Sequence, residues 1–323
     1  MKETVTSRRA RRLPRLVSAL AGVALLAAGV GYLSVSYVVA ERFTHAARYH
    51  VARGPQVAAP RYEDITVLTG DGLRLRGWYF PTGGDRAAIV VHGKDSNRVA
   101  GENRTAEKIA DFLIADGYDV LLFDLRGHGD SDGDRFSLGY LERRDVSAAI
   151  DYVTGRGVRE ERIALIGISM GAGTVLQTLL LHPNVGAVVA DSAYSDARTL
   201  VGEDLEKIAG VPGWFAPGVM LFANVAFGLN GDAVRPIDVV RAHGGRPIFF
   251  IHCDADELIS LHHPRELLAA SGNQGSELWV ARGCQHAWAF NTYPAEYKAR
   301  LLGFLDEQIP SALARIATAP AVA

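Results

Sequence analysis

Gly167-x-Ser169-x-Gly171 carries the most chemistry per residue in this chain. A serine hydroxyl is a weak nucleophile and needs a sharp turn to expose it, plus a base and an acid to activate it. The two glycines suit such a turn, because a strained backbone at the serine leaves no room for side chains on either side. Met170 onward has helical character, so the amino end of that helix points at the reacting centre and favours developing negative charge there. Gly173 lets that helix pack closely on a sheet. Downstream come a carboxylate-rich segment, Cys253-Asp254-Ala255-Asp256-Glu257, and then His286. Serine, aspartate and histidine in that order are the parts of an acyl-transfer triad.

The elements that would hold these residues follow from hydrophobic spacing. Ile65–Thr69 and Leu73–Phe80 flank Gly70-Asp71-Gly72, a hairpin signal. Ala87–Val91, Asp119–Phe123, Ile163–Gly167, Ala187–Ala190 and Ile248–His252 are short apolar runs, the mark of strands buried on both faces. Glu277–Ala281 reads as a final strand. Helical spacing covers Arg104–Asp116, Tyr140–Tyr152, Met170–Leu181, Pro264–Ala270 and Tyr293–Ile309. The alternation predicts an α/β fold, a mainly parallel central sheet with helices on both faces. Residues 193–246 break the rhythm with Val211-Pro212-Gly213-Trp214-Phe215-Ala216-Pro217 and a further apolar run. They read as a small cap inserted over the carboxyl ends of the strands.

Taken together, these features resemble the α/β-hydrolase superfamily over roughly residues 62–309, and within it the bacterial, single-pass, membrane-anchored, esterase-like members. The resemblance implies roles. The loop His92-Gly93-Lys94 after the third strand is to supply one backbone N–H of an oxyanion hole, from Lys94, and Met170 the second. His92 reads as a packed loop histidine, and the Lys94 side chain either faces substrate or is solvated. Asp124-Leu125-Arg126-Gly127-His128-Gly129-Asp130-Ser131 resembles the family's R-G-x-G-x-S loop, with Asp124 and Arg126 as loop-holding ion-pair partners. His128 precedes the serine, against the family's order. The pattern H-G-x-x-D-x-x-[V/I], laid on His252 and Ile259, puts the acid at Asp256, with Asp254 as the alternative and Cys253 where glycine is usual. The base falls at His286, after the last strand.

At 323 residues and 48% apolar composition the chain holds one large domain plus an extra segment. Residues 1–15 carry six basic side chains against Glu3, about +5. With a net charge of −2 the remainder is therefore about −7, which argues against a nucleic-acid partner. Residues 16–40 contain no charge; as a helix they span roughly 37 Å, more than a hydrocarbon core of about 30 Å. They read as a transmembrane helix with a cytoplasmic N-terminus and an extracytoplasmic catalytic domain. The competing readings are a signal peptide cleaved after Val38-Val39-Ala40, a twin-arginine leader and a buried core helix. Residues 41–60 read as a linker, 61–310 as the hydrolase domain, and 311–323 as a tail.

Cys253 and Cys284 either form a disulfide bracing the loops of Asp256 and His286 or remain two reduced, buried thiols. No cofactor is implied. The histidines lack paired metal-ligand spacing, and His262-His263 reads as a loop entering a helix. Three functions stay open: hydrolysis of an ester or thioester, with a lipid-like acyl substrate suggested by the anchor and the apolar cap; a peptidase, with Glu203, Asp204 or Glu206 binding a substrate amine; and a non-catalytic membrane-tethered binding module.

Overall fold

The apolar runs become adjacent strands of one sheet. A computed structural model of the chain describes residues 6–59, 61–101 and 103–311. Eight strands, β1 (Glu63–Leu68), β2 (Arg74–Phe80), β3 (Arg86–Val91), β4 (Tyr118–Phe123), β5 (Ile163–Ile168), β6 (Ala187–Asp191), β7 (Ile248–Cys253) and β8 (Glu277–Ala281), lie in the order β1-β2-β4-β3-β5-β6-β7-β8. The β1–β2 and β2–β4 pairs are antiparallel; every later pair is parallel. The chain thus has the α/β-hydrolase fold.

Helices cover both faces. β5 shows how its residues are shared out: Ile163 and Leu165 join one core cluster, Ala164, Ile166 and Ile168 the other, the period of two that a pleated strand imposes. The first cluster also takes Val146 and Ile150 of α3 (Glu142–Gly155), Val175 and Leu176 of α4 (Met170–Thr178), and Leu267 of α8 (His262–Ser271). The second takes Ile109 and Leu113 of α2 (Thr105–Ala115), Ala289 of α9 (Ala289–Thr292), and Tyr297, Leu301 and Leu305 of α10 (Pro294–Gln308). Each fully buried aliphatic side chain of this kind stabilises the fold by about 1.5–3 kcal/mol relative to exposure.

The insertion between β6 and β7 folds as α5 (Ala197–Ala209), a 3₁₀ turn (Gly213–Phe215), α6 (Ala216–Phe227) and α7 (Pro236–His243). α7 packs on α4 and α8, and its Val239 and Val240 are buried in the first cluster. The last part of residues 193–246 therefore belongs to the helical layer, and the cap proper is α5, the 3₁₀ turn and α6.

Ahead of the domain, α1 (Thr6–Phe43) is longer than the uncharged segment 16–40. Val17–Phe43 is long and apolar enough to cross a membrane, and little of it is covered by protein. A buried core helix, one of the readings open from sequence, does not fit the broad exposure of Val17, Leu20, Leu25 and Leu26. The linker is not free chain. Ala47 N–H donates to Asp95 (2.7 Å), Arg48 to the Ser131 carbonyl (2.6 Å), Gln56 N–H to Glu107 (2.9 Å) and Ala58 N–H to Asp111 (2.6 Å), so residues 44–59 form a strap laid along the domain. Residues 1–5 of the basic tail and 312–323 of the C-terminal tail fall outside the described residues, and the rest of the basic tail is the start of α1.

Candidate active site

Ser169 sits in the turn from β5 to α4 at φ 55°, ψ −118°, a left-handed conformation that side chains rarely adopt. Its N–H donates to the Asp191 carbonyl at 2.8 Å, which ties the turn to β6. The flanking glycines are matters of space. A Cβ on Gly167 would lie 2.4 Å from the Gly171 carbonyl oxygen, and one on Gly171 2.2 Å from that of Val91. At Gly173 it would enter the Tyr194 ring, at 2.3 Å, so α4 lies close on the strand-end segment that carries Tyr194.

The structure brings Ser169, His286 and Asp256 together. His286 Nε2 is 2.7 Å from Ser169 Oγ, and His286 Nδ1 is 2.7 Å from Asp256 Oδ2. Asp256 is buried (1% exposed side chain), and its Oδ1 accepts from the Leu258 and Ile259 N–H groups at 2.9 and 2.8 Å. Burial alone would raise this carboxyl's pKa. The His286 hydrogen bond and charge and the Ile259 N–H outweigh burial, so the net shift is downward and the carboxylate stays ionised. Asp254, the alternative acid, instead accepts from the Gly283 N–H at 2.6 Å and holds the turn leading to His286. Cys253 and Cys284 form a disulfide, with Cα atoms 5.2 Å apart, that joins the ends of β7 and β8 beside both loops.

The loop after β3 crosses directly over the serine: a Cβ on Gly93 would lie 3.1 Å from Ser169 Cβ. The orientation of this loop rests on His92. Leu125 N–H donates to His92 Nε2 (3.0 Å), so the ring proton is on Nδ1 and goes to the Gly93 carbonyl at 2.7 Å. Because the peptide is trans, holding the Gly93 C=O on His92 turns the Lys94 N–H to the opposite side. Burial, with His128 nearby, pushes the His92 pKa down to about 3, so this neutral arrangement persists across ordinary pH. Met170 opens α4, and its N–H has no intrahelical acceptor. The Lys94 side chain is ion-paired with Asp95 and lines a cleft of about 480 Å³ together with Ser169, His286, Leu258 and Trp288.

The second loop does hold by ion pairs. Asp124 pairs with Arg98, and Arg126 with Asp145 (2.7 Å) and Asp71 (2.9 Å). His128 is buried against His92, its Nδ1 on the Arg126 carbonyl at 2.8 Å. Of the cap acids, Glu203 faces His262 and His263 at 3.5 Å each and Asp204 pairs with Lys207; neither these nor Glu206 lines the cleft. The structure does gather Glu203, His262 and His263, which sequence spacing alone does not reveal. Ser195 N–H donates to His263 Nδ1 (3.2 Å), which leaves the proton on Nε2, the atom facing Glu203, a donor rather than a ligand.

Sequence reasoning missed Asp191. It is fully enclosed at the end of β6, hydrogen-bonded by Ser192 Oγ (3.0 Å) and Tyr297 Oη (3.2 Å), and Ser192 Oγ in turn accepts from the Ala287 N–H (3.2 Å) beside His286. The signal was a lone acid ending an apolar strand. Burial pushes its pKa up to about 6, against the ordinary 3.8, with the two hydroxyl donors pulling the other way. A carboxyl that holds its proton more tightly when folded stabilises fully below its unfolded pKa, and that contribution is lost as pH rises from about 4 through about 6. Asp191→Asn, which mimics the protonated acid, is therefore expected to raise the thermal midpoint over the parent at pH 8 and to converge on it at pH 4. Equal differences at both pH values in paired melts would contradict this.

Comparison with known proteins agrees with the architecture. Residues 85–242 match the family model described as serine aminopeptidase, S33. The Pyrococcus furiosus esterase Pf2001 superposes with a TM-score of 0.68 at 26% identity, covering 82% of this chain and 99% of that one. The uncharacterized protein YfhR of Salmonella typhi is 27% identical over 263 residues, 76% of this chain and 81% of its own. The uncharacterized protein MT2364 of Mycobacterium tuberculosis is 33% identical over 189 residues, 56% of this chain and 62% of its own. The chain belongs to the α/β-hydrolase superfamily, and it is a hydrolase.

Proposed function

We propose that this hydrolase cleaves an ester or thioester through a Ser169–His286–Asp256 triad and an acyl-enzyme. The observation that carries the reading is the unbroken relay from Asp256 Oδ2 through the imidazole to Ser169 Oγ, 2.7 Å at each step. His286 Nε2 takes the hydroxyl proton as Oγ attacks the carbonyl carbon, and Asp256 stabilises the imidazolium and fixes its tautomer. The N–H groups of Lys94 and Met170 bind the oxyanion. The imidazolium then protonates the leaving alcohol or thiol, and in the second half His286 deprotonates the water that releases the acid. Similarity to an esterase supports an ester substrate.

The peptidase reading rests on the S33 family description. An aminopeptidase needs an anion to hold the substrate's ammonium group, and Glu203, Asp204 and Glu206 all stand away from the cleft, which favours the ester reading. The basic tail, the long apolar helix and the disulfide support a cytoplasmic N-terminus with the domain on the oxidising, extracytoplasmic side. The test is the full chain in detergent on p-nitrophenyl esters and aminoacyl-p-nitroanilides. Ester turnover at least tenfold above anilide turnover in kcat/KM is expected, a difference of about 1.4 kcal/mol in transition-state stabilisation. The reverse order would assign a peptidase.

A further inference from the structure

The cap and α1 form one apolar surface. The segment Gly213–Phe227, the 3₁₀ turn plus α6, contains no charged residue. It packs along the last turns of α1. Tyr32 stacks on Trp214 and Phe215, at 5.6 and 5.1 Å between centroids, and its hydroxyl accepts from the Gly218 N–H at 3.1 Å. Gly218 is the point of closest approach, since a Cβ there would lie 2.3 Å from Ser36 Oγ. Farther along, Tyr37 meets Phe222 edge-on at 5.5 Å. The other side of the cap segment is bare: Trp214 is 63% exposed, Leu221 51% and Val225 76%. This bare face continues the exposed apolar flank of α1 at Leu33, Tyr37 and Val38.

Length says what covers that face. Val17–Phe43 is 27 residues, about 40 Å of helix, whereas a hydrocarbon core is about 30 Å thick. Some 20 residues from Val17 fill the core, which brings its far edge to about Ser36. Tyr32 then lies inside the hydrocarbon, and Trp214, stacked on Tyr32, lies at the same depth.

Between α1 and the end of α5 is a second cavity, of about 580 Å³, lined by the apolar Val35, Val38, Val39, Phe43, Ala209 and Val211 together with the polar Ser34 and Arg42. Val35, at the estimated edge of the hydrocarbon, and Val38, just beyond it, are exposed. Lys94 lines this cavity too, and it also lines the cleft of Ser169. One side chain is thus common to a largely apolar cavity that begins at the edge of the hydrocarbon and to the catalytic cleft.

Resting on the ester-hydrolase reading above, we propose that the cap segment Gly213–Phe227 lies in the leaflet next to the catalytic domain, and that the cavity between α1 and α5 takes the long acyl chain of a membrane lipid directly from that leaflet, its ester group reaching Ser169 past Lys94. The non-aqueous route explains an uncharged cap fused to an apolar helix, where a soluble substrate would need neither. The aromatic Trp214–Tyr32 pair serves as the depth marker of the assembly.

Two measurements on the full chain in vesicles test this. In brominated phosphatidylcholine, tryptophan emission is expected to be quenched, and Trp214→Phe to remove most of the quenchable part. Equal quenching in that variant would overturn membrane burial of the cap. The second compares p-nitrophenyl palmitate with p-nitrophenyl butyrate in Val38→Trp and Val211→Trp, which fill the cavity from opposite walls. The palmitate-to-butyrate rate ratio is expected to fall about tenfold or more, the loss incurred when two methylenes are no longer buried. An unchanged ratio in both variants overturns the acyl site alone. Absence of turnover on any ester by the parent protein overturns the ester reading as well, while the quenching result stands independently of catalysis.

Discussion

Ser169→Ala is expected to lower ester turnover by about 10⁴-fold or more, with the thermal midpoint almost unmoved. The size of the effect follows from the geometry. Oγ is the atom that His286 Nε2 reaches at 2.7 Å, and no other hydroxyl lines the cleft at that distance from the imidazole among the described residues. The cleft, the Lys94 and Met170 N–H groups and the imidazole all remain in the variant. The residual rate therefore reports what substrate binding and oxyanion stabilisation achieve without a covalent step. Stability is spared because alanine fits wherever serine does at this backbone conformation, and the tie from residue 169 N–H to the Asp191 carbonyl is a main-chain bond. Steady-state kinetics beside a thermal melt checks both halves. A variant that keeps more than a tenth of parent turnover would mean that another nucleophile is used.

Asp256→Asn is expected to cost about 10⁴-fold in kcat without loss of the fold. In the parent, Oδ1 accepts two backbone N–H bonds, from Leu258 and Ile259, and Oδ2 accepts the His286 Nδ1 proton. An asparagine must keep its single carbonyl oxygen on the two backbone donors, since an NH₂ there would leave both unmet in a buried place. Its NH₂ then faces His286 Nδ1. The imidazole turns acceptor on that side and carries its proton on Nε2, the tautomer that cannot take a proton from Ser169. The measurement is kcat for the purified variant on the best ester, with the melt as a control. An effect below tenfold would show that Asp256 does not set the tautomer.

Legibility in the sequence divided along physical lines. A strand buried on both faces must be apolar at every position, so β3, β4, β5 and β7 could be read to within about a residue from composition alone. Ser169 was legible because close packing against Gly171 and Val91 permits only glycine at 167 and 171. The family pattern laid on His252 and Ile259 pointed to Asp256, but nothing in the chemistry of the turn itself distinguishes it from Asp254. Both lie in one turn, and what separates them is a long-range contact, His286 for one and Gly283 for the other. The same holds for Asp191, which reads as an ordinary strand-end acid until Tyr297 of α10 and, through Ser192, the Ala287 N–H are set beside it. The strap at residues 44–59 looked like free linker because its anchors are bonds between main-chain groups and side chains 48 to 83 residues apart. The cap was visible as a break in rhythm. That it packs on α1 depends on Gly218, whose value lies in the atoms it leaves out.

The most direct test of the central claim, that Ser169 is the nucleophile of a working relay, is labelling of the full-length protein by a fluorophosphonate, followed by mass spectrometry of the modified peptide. The serine of the Gly167-x-Ser169-x-Gly171 segment is expected to carry the label, and both Ser169→Ala and His286→Ala to abolish it. A folded parent protein that takes no label, or takes it on another residue, would contradict the account.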